Sequence, residues 1–252
     1  MRKTLFTGLT VLALSTALAE PAMAVDIGSG FDVSGGATLV SDYRFRGISQ
    51  TNKDFAMQGG FTLAHSSGVY ATIWGSSIDD YVAGGSDQEL NFVLGYSTEV
   101  SSGTTIDLGV LYYYYPGGEQ IVPGLDTDFF EPYASVSHTL GPVTGKLFAA
   151  YAPKQTALSI GNGKEDNFYL AFDLSGDIPD TGISLTGHIG HSFGPSYLTI
   201  GDEYTDWSIG ASYSTGPLTF GISYVDTDDS TYGPTGKNLS KAGVVGTIGV
   251  SF

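Results

Sequence analysis

The chain has no cysteine. A disulfide framework and a thiolate metal site are therefore both excluded. Cations are scarce: 10 Lys and Arg stand against 26 Asp and Glu, a formal charge of −16 over 252 residues. A chain this acidic lacks the basic surface that nucleic-acid phosphates require, so nucleic acid is not an expected partner. Charged residues of both signs make up only 14%. Past the first two dozen residues no long apolar run occurs, which excludes a transmembrane helix there. A membrane barrel is not excluded, because its alternating strands leave no hydropathy peak.

Glycine is abundant at 36 residues, and aromatics reach 13%. Together with little helix-forming Leu, Lys and Glu, this composition favours strands. The first residues are different. Arg2 and Lys3 precede an apolar stretch from Leu5 to Ala19, and Ala22-Met23-Ala24 follows as a small-x-small cleavage pattern. This predicts a secretory signal peptide over 1–24 and a mature domain over 25–252. Without Arg2, Lys3 and Glu20, 8 basic and 25 acidic residues remain, a formal charge of −17.

Twelve segments with a period of two can be drawn, near 31–46, 56–65, 69–78, 88–98, 104–115, 128–139, 143–152, 166–174, 183–192, 204–213, 218–225 and 241–252. Each has one apolar face. Ile106, Leu108, Val110, Tyr112 and Tyr114 share a face, as do Phe168, Leu170, Phe172 and Leu174. Asp107, Gly109, Asn167 and Asp173 lie opposite. Short connections such as Ser66-Ser67-Gly68 and Leu140-Gly141-Pro142 alternate with longer ones such as Pro153–Glu165 and Asp226–Ser240. Tight turns on one side and longer loops on the other are the layout of an outer-membrane barrel. The expected fold is thus all-β: a transmembrane, antiparallel, up-and-down barrel of about 12 strands, each about 9–11 residues across the membrane. A soluble barrel would carry the apolar face inward. The leader, the acidic loops and the aromatic segment ends favour lipid outside.

The last segment alternates Val244, Gly246, Ile248, Val250 and Phe252 with Val245, Thr247, Gly249 and Ser251. It resembles the closing strand of Gram-negative outer-membrane barrels. That resemblance implies an assembly signal in Val244, Ile248, Val250 and Phe252, read by the barrel assembly machinery.

The most distinctive string is Ser41-Asp42-Tyr43-Arg44-Phe45-Arg46-Gly47-Ile48-Ser49-Gln50. With Gln58-Gly59-Gly60-Phe61, His65-Ser66-Ser67-Gly68-Val69-Tyr70 and Trp74-Gly75-Ser76, it resembles the TorF-type porin family of proteobacterial outer membranes. The resemblance is close over roughly residues 30–78. It implies a signal-bearing barrel in the cell outer membrane, among lipid and lipopolysaccharide, that passes small polar solutes or ions. It implies no catalytic residue.

Motifs for chemistry fail one by one. His188 and His191 are three apart on a strand and so face opposite sides. No Gly-x-Ser-x-Gly string occurs. Gly161-Asn162-Gly163-Lys164 lacks the spacing and the hydroxyl residue of a phosphate loop. Asp226 to Ser230 starts like a calcium loop, but Thr231 and Lys237 stand where Gly and Glu are required. No cofactor, metal or catalytic activity is expected; an Asp-His site assembled across strands stays open. The register instead turns Asp42, Arg44 and Arg46 of the first segment into the lumen near its outer mouth, at the height of Glu89, Glu131 and Asp206. Two readings follow. One is a water-filled, cation-preferring channel with these six residues lining the pore. The other is a barrel filled by side chains, such as Trp74, Tyr113, Tyr115, Phe148 and Tyr169, whose acidic loops bind a partner or divalent cations. In the first reading Gly36, Gly60, Gly95, Gly109, Gly190 and Gly210 leave room for water.

Overall fold

The computed structural model describes residues 24–118, 126–161 and 163–252. The expected signal peptide lies outside the described residues except for Ala24, as do 119–125 of one long connection and Asn162.

In chain order the strands are β1 (Val25–Gly28), β2 (Phe31–Val40), β3 (Arg44–Phe45), β4 (Ile48–Ser49), β5 (Ala56–His65), β6 (Val69–Ser77), β7 (Gln88–Ser101) and β8 (Thr104–Tyr114). They continue as β9 (Phe129–Leu140), β10 (Val143–Ile160), β11 (Gly163–Ile178), β12 (Ile183–Phe193), β13 (Tyr204–Thr215), β14 (Leu218–Thr227) and β15 (Gly243–Ser251). From β5 to β15 each strand pairs antiparallel with the next. β2 pairs with both β5 and β15, so twelve strands close into a barrel. No helix among the described residues is long and apolar enough to cross a membrane.

The faces follow from the alternation. Leu94, Leu108, Val110, Phe172, Ile209, Ile222, Val244 and Ile248 are exposed on the outside. Glu89, Asn91, Tyr113, Glu131, Asn167, Tyr169 and Asp206 are buried on the inside. An apolar band around a whole barrel is far larger than the patches of water-exposed monomers. It matches what hydrocarbon requires of a strand's outer face. Tyr96, Tyr112, Tyr114, Tyr151, Tyr213 and Tyr224 are exposed around it, the residue type that membrane interfaces favour.

The barrel closes where the first and last strands meet. β15 pairs with β2 from Thr247↔Val40 to Ser251↔Gly36. Phe252 then exchanges two backbone hydrogen bonds with Gly35, at 3.0 and 2.9 Å. β1 takes over beyond it, with Val25 opposite Val33. Gly35 has a reason to be glycine: a Cβ there would stand 2.9 Å from the tip of the Phe252 ring.

Two expectations about strand ends are corrected. The first segment does not run as a wall strand to Arg46; β2 stops at Val40, and the following residues fold inward. The connection expected over Pro153–Glu165 is not a loop. β10 and β11 continue past the other strands as a two-stranded extension, with Gln155 opposite Glu165 and Ile160 opposite Gly163. Backbone pairing continues there without help from lipid, so its side chains need not alternate in polarity.

Candidate functional site

At the top of β2 the chain leaves the wall. The Ser41 amide donates to the Gly246 carbonyl at 2.9 Å, the last ladder bond before the departure. Phe45 pairs with Ile48 and Arg44 with Ser49. Arg46 and Gly47 form the two-residue turn between them, with φ of 47° and 81°. Two successive positive φ values are the mark of a type I′ hairpin, whose twist matches that of its strands. Glycine accepts this freely, while a non-glycine residue there costs on the order of 1–3 kcal/mol. The contacts of Arg46 offset that cost. A second hydrogen-bonded tier sits behind the turn. The Tyr43 amide donates to Thr51 Oγ1 at 3.2 Å, and the Gln50 amide donates to the Tyr43 carbonyl at 2.7 Å.

The tip crosses the lumen. Arg46 Nη2 lies 2.7 Å from Glu131 Oε1, and Nη1 donates to Asn167 Oδ1 at 2.8 Å. Glu131 is on β9 and Asn167 on β11, on the side of the barrel away from β2. The guanidinium carbon lies 4.1 Å from the Tyr169 ring centroid and 4.8 Å from that of Phe45. Gly47 rests on β13 and β14, since a Cβ there would stand 2.9 Å from Asp206 Cβ and 2.3 Å from Thr227 Cγ2. Arg44 turns back to the rim. Its Nε meets Asp42 Oδ2 at 2.6 Å, and its Nη1 donates to the carbonyls of Gly47, Leu239 and Lys241. Ser49 Oγ donates to Asp42 Oδ1 at 2.5 Å. Tyr43 Oη donates to Glu89 Oε1 at 3.1 Å, beside Asn91 Nδ2 at 2.8 Å.

All six residues expected near the outer mouth therefore face the interior, but not by the expected route. Asp42, Arg44 and Arg46 arrive on an inward hairpin, not on a wall strand. Tyr43 and Phe45, which alternation placed toward lipid, are inside. Tyr43 packs edge-on against Trp74 and Phe45 edge-on against Tyr113. Arg44, Glu89 and Glu131 are each exposed by 2% or less, so this level of the lumen is filled. On the loop side of the hairpin, partial burial and then the Arg44 guanidinium lower the Lys53 ammonium below its ordinary value. The Tyr81 phenol, which donates to the Ser49 carbonyl, is pushed up to about 12, chiefly by burial.

A family described as a bacterial protein of unknown function, Gcw_chp, matches residues 24–252. The chain belongs to that family. No curated protein matches it in sequence. Among the solved structures that share its fold are two porins. One is the NanC porin, 14% identical, with a TM-score of 0.57 over 88% of this chain and 98% of that one. The other is the KdgM porin, 8% identical, with a TM-score of 0.56 over 87% and 98%. This Gcw_chp chain thus has the fold of outer-membrane porins.

A second cluster lies on the inner wall next to the hairpin's seat, and sequence reading did not assemble it. His188 Nδ1 stands 2.7 Å from Asp173 Oδ1, and its Nε2 stands 3.0 Å from Asp206 Oδ1. Tyr169 Oη donates to Asp206 Oδ2 at 3.0 Å. Lys146 Nζ is 3.8 Å from Asp173. Lys146, Asp173, His188 and Asp206 lie on four neighbouring strands, so cation and anion alternate around the wall when the imidazole is charged. His191 faces the other way and bonds Thr205, in keeping with the two-residue period. Asp173 and Asp206 were legible as inward residues, and the two-residue period puts His188 on the same face as Gly190; that the three meet needed the strand register. Among the described residues, no group of three His, Cys, Asp or Glu is arranged to hold a metal ion.

Three of the six expected lumen glycines have aromatic occupants. A Cβ on Gly190 would stand 2.0 Å from Tyr169 Oη, one on Gly109 2.5 Å from Tyr133 Oη, and one on Gly95 2.3 Å from Tyr70 Cζ. These three glycines seat tyrosine rings from neighbouring strands. Tyr70 and Tyr133 in turn hydrogen-bond each other, and Tyr70 donates to Asp107 at 2.8 Å.

Proposed function

We propose that this protein is an outer-membrane diffusion channel for small polar solutes or ions, cation-preferring, whose outer mouth is occupied by its own first long loop. One observation carries the reading: what fills the mouth is a hairpin of the first long loop and not the wall itself, and on β9, β13 and β14 the wall below it is small and polar. Ser135, Ser137, Ser208, Gly210, Ser212, Gly221 and Ser223 face inward and are only partly buried. A wall of this kind tolerates water, and a loop contact can open without breaking the barrel. The buried carboxylates Glu89, Glu131 and Asp206, with the −17 charge beyond the leader, favour cations over anions in such a passage. Asp42, Arg44, Arg46, Glu89, Glu131 and Asp206 are its pore-lining set.

The resemblance to TorF-type porins supports the same reading, as does the fold shared with NanC and KdgM. The apolar outer band supports a place among outer-membrane lipid and lipopolysaccharide. The predicted leader and the aromatic last strand support export and insertion by the barrel assembly machinery. No catalytic role is part of this proposal.

The burial of Arg44, Glu89 and Glu131 favours a second reading, a side-chain-filled barrel that acts through its acidic outer loops. Planar-bilayer recording separates the two. A channel predicts discrete conductance and a reversal potential, under a salt gradient, on the cation-selective side. Anion preference would refute the charge argument. Silence both in the wild type and after removal of the Arg46 side chain would leave the filled barrel.

A further inference from the structure

We infer that the inner wall contains a receptor for a guanidinium group, which Arg46 occupies as an internal ligand. The inference rests on the channel reading only for its role in transport; the site itself stands on geometry.

Four wall residues build it. Glu131 on β9 faces the guanidinium as a carboxylate at 2.7 Å, and Asn167 on β11 offers a carbonyl oxygen at 2.8 Å. The Tyr169 ring supplies a π face at 4.1 Å. Asp206 on β13 accepts from the Tyr169 hydroxyl at 3.0 Å, which orients that ring. Each of the four is exposed by 3% or less.

The wall side of the site is also held by contacts among wall residues. Asn167 Nδ2 donates to the Phe193 carbonyl at 2.9 Å, which fixes its amide with the oxygen toward Arg46. Tyr113 Oη donates to the second Glu131 oxygen at 3.3 Å. Tyr169 is seated over Gly190. If the hairpin withdraws, the Glu131 carboxylate loses its cation and faces the lumen as a fixed negative charge. The vacated wall therefore attracts a cation that can replace Arg46. A planar fork of N–H donors with a face to stack is what this carboxylate, amide oxygen and ring together recognise. A compact ammonium or a sodium ion matches only the carboxylate.

The chemical class of ligand is therefore a guanidinium-bearing solute that enters from outside and competes with Arg46. Competition couples binding to opening, because solute and hairpin cannot hold the same carboxylate together.

Methylguanidinium is the probe. The variant is Arg46→Gly, which removes the internal ligand and suits a position at φ 47°. Binding is read by calorimetry on the refolded barrel in detergent, with folding checked by circular dichroism and heat-modifiable migration. Arg46→Gly should bind methylguanidinium at least about tenfold tighter than the wild type, whose site is filled. Methylammonium should bind about tenfold more weakly than methylguanidinium. Adding Glu131→Gln should abolish the gain. Folded Arg46→Gly that binds no tighter than the wild type, or that takes methylammonium equally well, overturns the inference. Because this readout needs no current, a barrel that binds the probe yet never conducts would sink the channel reading alone. Should Arg46→Gly fail to fold, Arg46→Lys gives the same test: a guanidinium receptor predicts that methylguanidinium displaces the lysine, and unchanged weak binding refutes it.

Discussion

Arg44 and Leu239 are joined by a 3.0 Å hydrogen bond from the guanidinium Nη1 to the backbone carbonyl, which ties the loop after the first barrel strand to the loop before the last. The same guanidinium holds Asp42, Gly47 and Lys241. Together with the Ser49 amide, which donates to the same Leu239 carbonyl at 3.1 Å, it fastens the inward hairpin to the rim. Arg44→Ala should lower unfolding stability by about 3–5 kcal/mol, since it strands buried Asp42 without its cation. Arg44→Lys should recover less than half of that loss, because an ammonium cannot reproduce the fork. Urea unfolding in detergent checks both values, and wild-type stability of Arg44→Ala would mean that the hairpin is held elsewhere.

That staple also shows where sequence reading stops. Alternation places a residue on one of two faces, and it placed the walls correctly: β5 has the expected bounds, 56–65. Yet Tyr43-Arg44-Phe45-Arg46 alternates as well in an inward hairpin as in a wall strand. Only Gly47 after Arg46 hints at the turn, and a single glycine is weak evidence in a chain with 36. The β10–β11 extension was missed for the opposite reason. Outside lipid its strands need no apolar face, so the periodic signal fades while the backbone ladder continues. Lumen glycines were read as space because a missing side chain looks the same whether water or a neighbour's ring fills it. The His188 cluster joins residues of four strands at positions 146, 173, 188 and 206, and its register cannot be read from spacing.

Tyr169 leads to the second prediction, since it touches both the hairpin and the His188 cluster. A methyl group on Gly190 would stand 2.0 Å from its hydroxyl. Gly190→Ala should displace that ring from Asp206 and from under Arg46, at a cost of about 1–3 kcal/mol of overpacking. Gly187→Ala is the control: a Cβ there meets nothing within 4 Å, and its effect should stay within about 0.5 kcal/mol. Thermal unfolding of the two variants side by side gives the answer. Equal stability would mean that the ring moves aside without loss.

The third prediction concerns processing. β1 starts at Val25 and pairs with β2 next to Phe252. Cleavage after Ala22-Met23-Ala24 would leave Val25 as the first residue, free to take that edge. Intact mass of the membrane form should correspond to a chain beginning at Val25. A membrane form that keeps all 252 residues would refute the leader.

The last prediction tests which face meets lipid and what the final residue does. Ile248 is exposed on the outside of β15 and pairs with Leu39 and Phe220 on its two neighbours. An arginine at that site would have to leave hydrocarbon or pull water in. Ile248→Arg should therefore destabilise the barrel in lipid by about 2–4 kcal/mol if it sits near mid-membrane. The same change at Ser212, which faces the lumen and is only partly buried, should cost less, because charge there meets a polar interior. Stability unchanged by Ile248→Arg and lost with Ser212→Arg would reverse the inside-outside assignment. Phe252 acts differently. It holds Gly35 by two backbone bonds and lays its ring over that glycine, so it secures the seam where the first and last barrel strands meet. Deleting it should reduce insertion into the outer membrane while export across the inner membrane continues. Fractionation reads this directly, as accumulation of processed but uninserted protein in the periplasm. Normal insertion without Phe252 would remove it from the assembly signal and leave Val244, Ile248 and Val250 to carry that role.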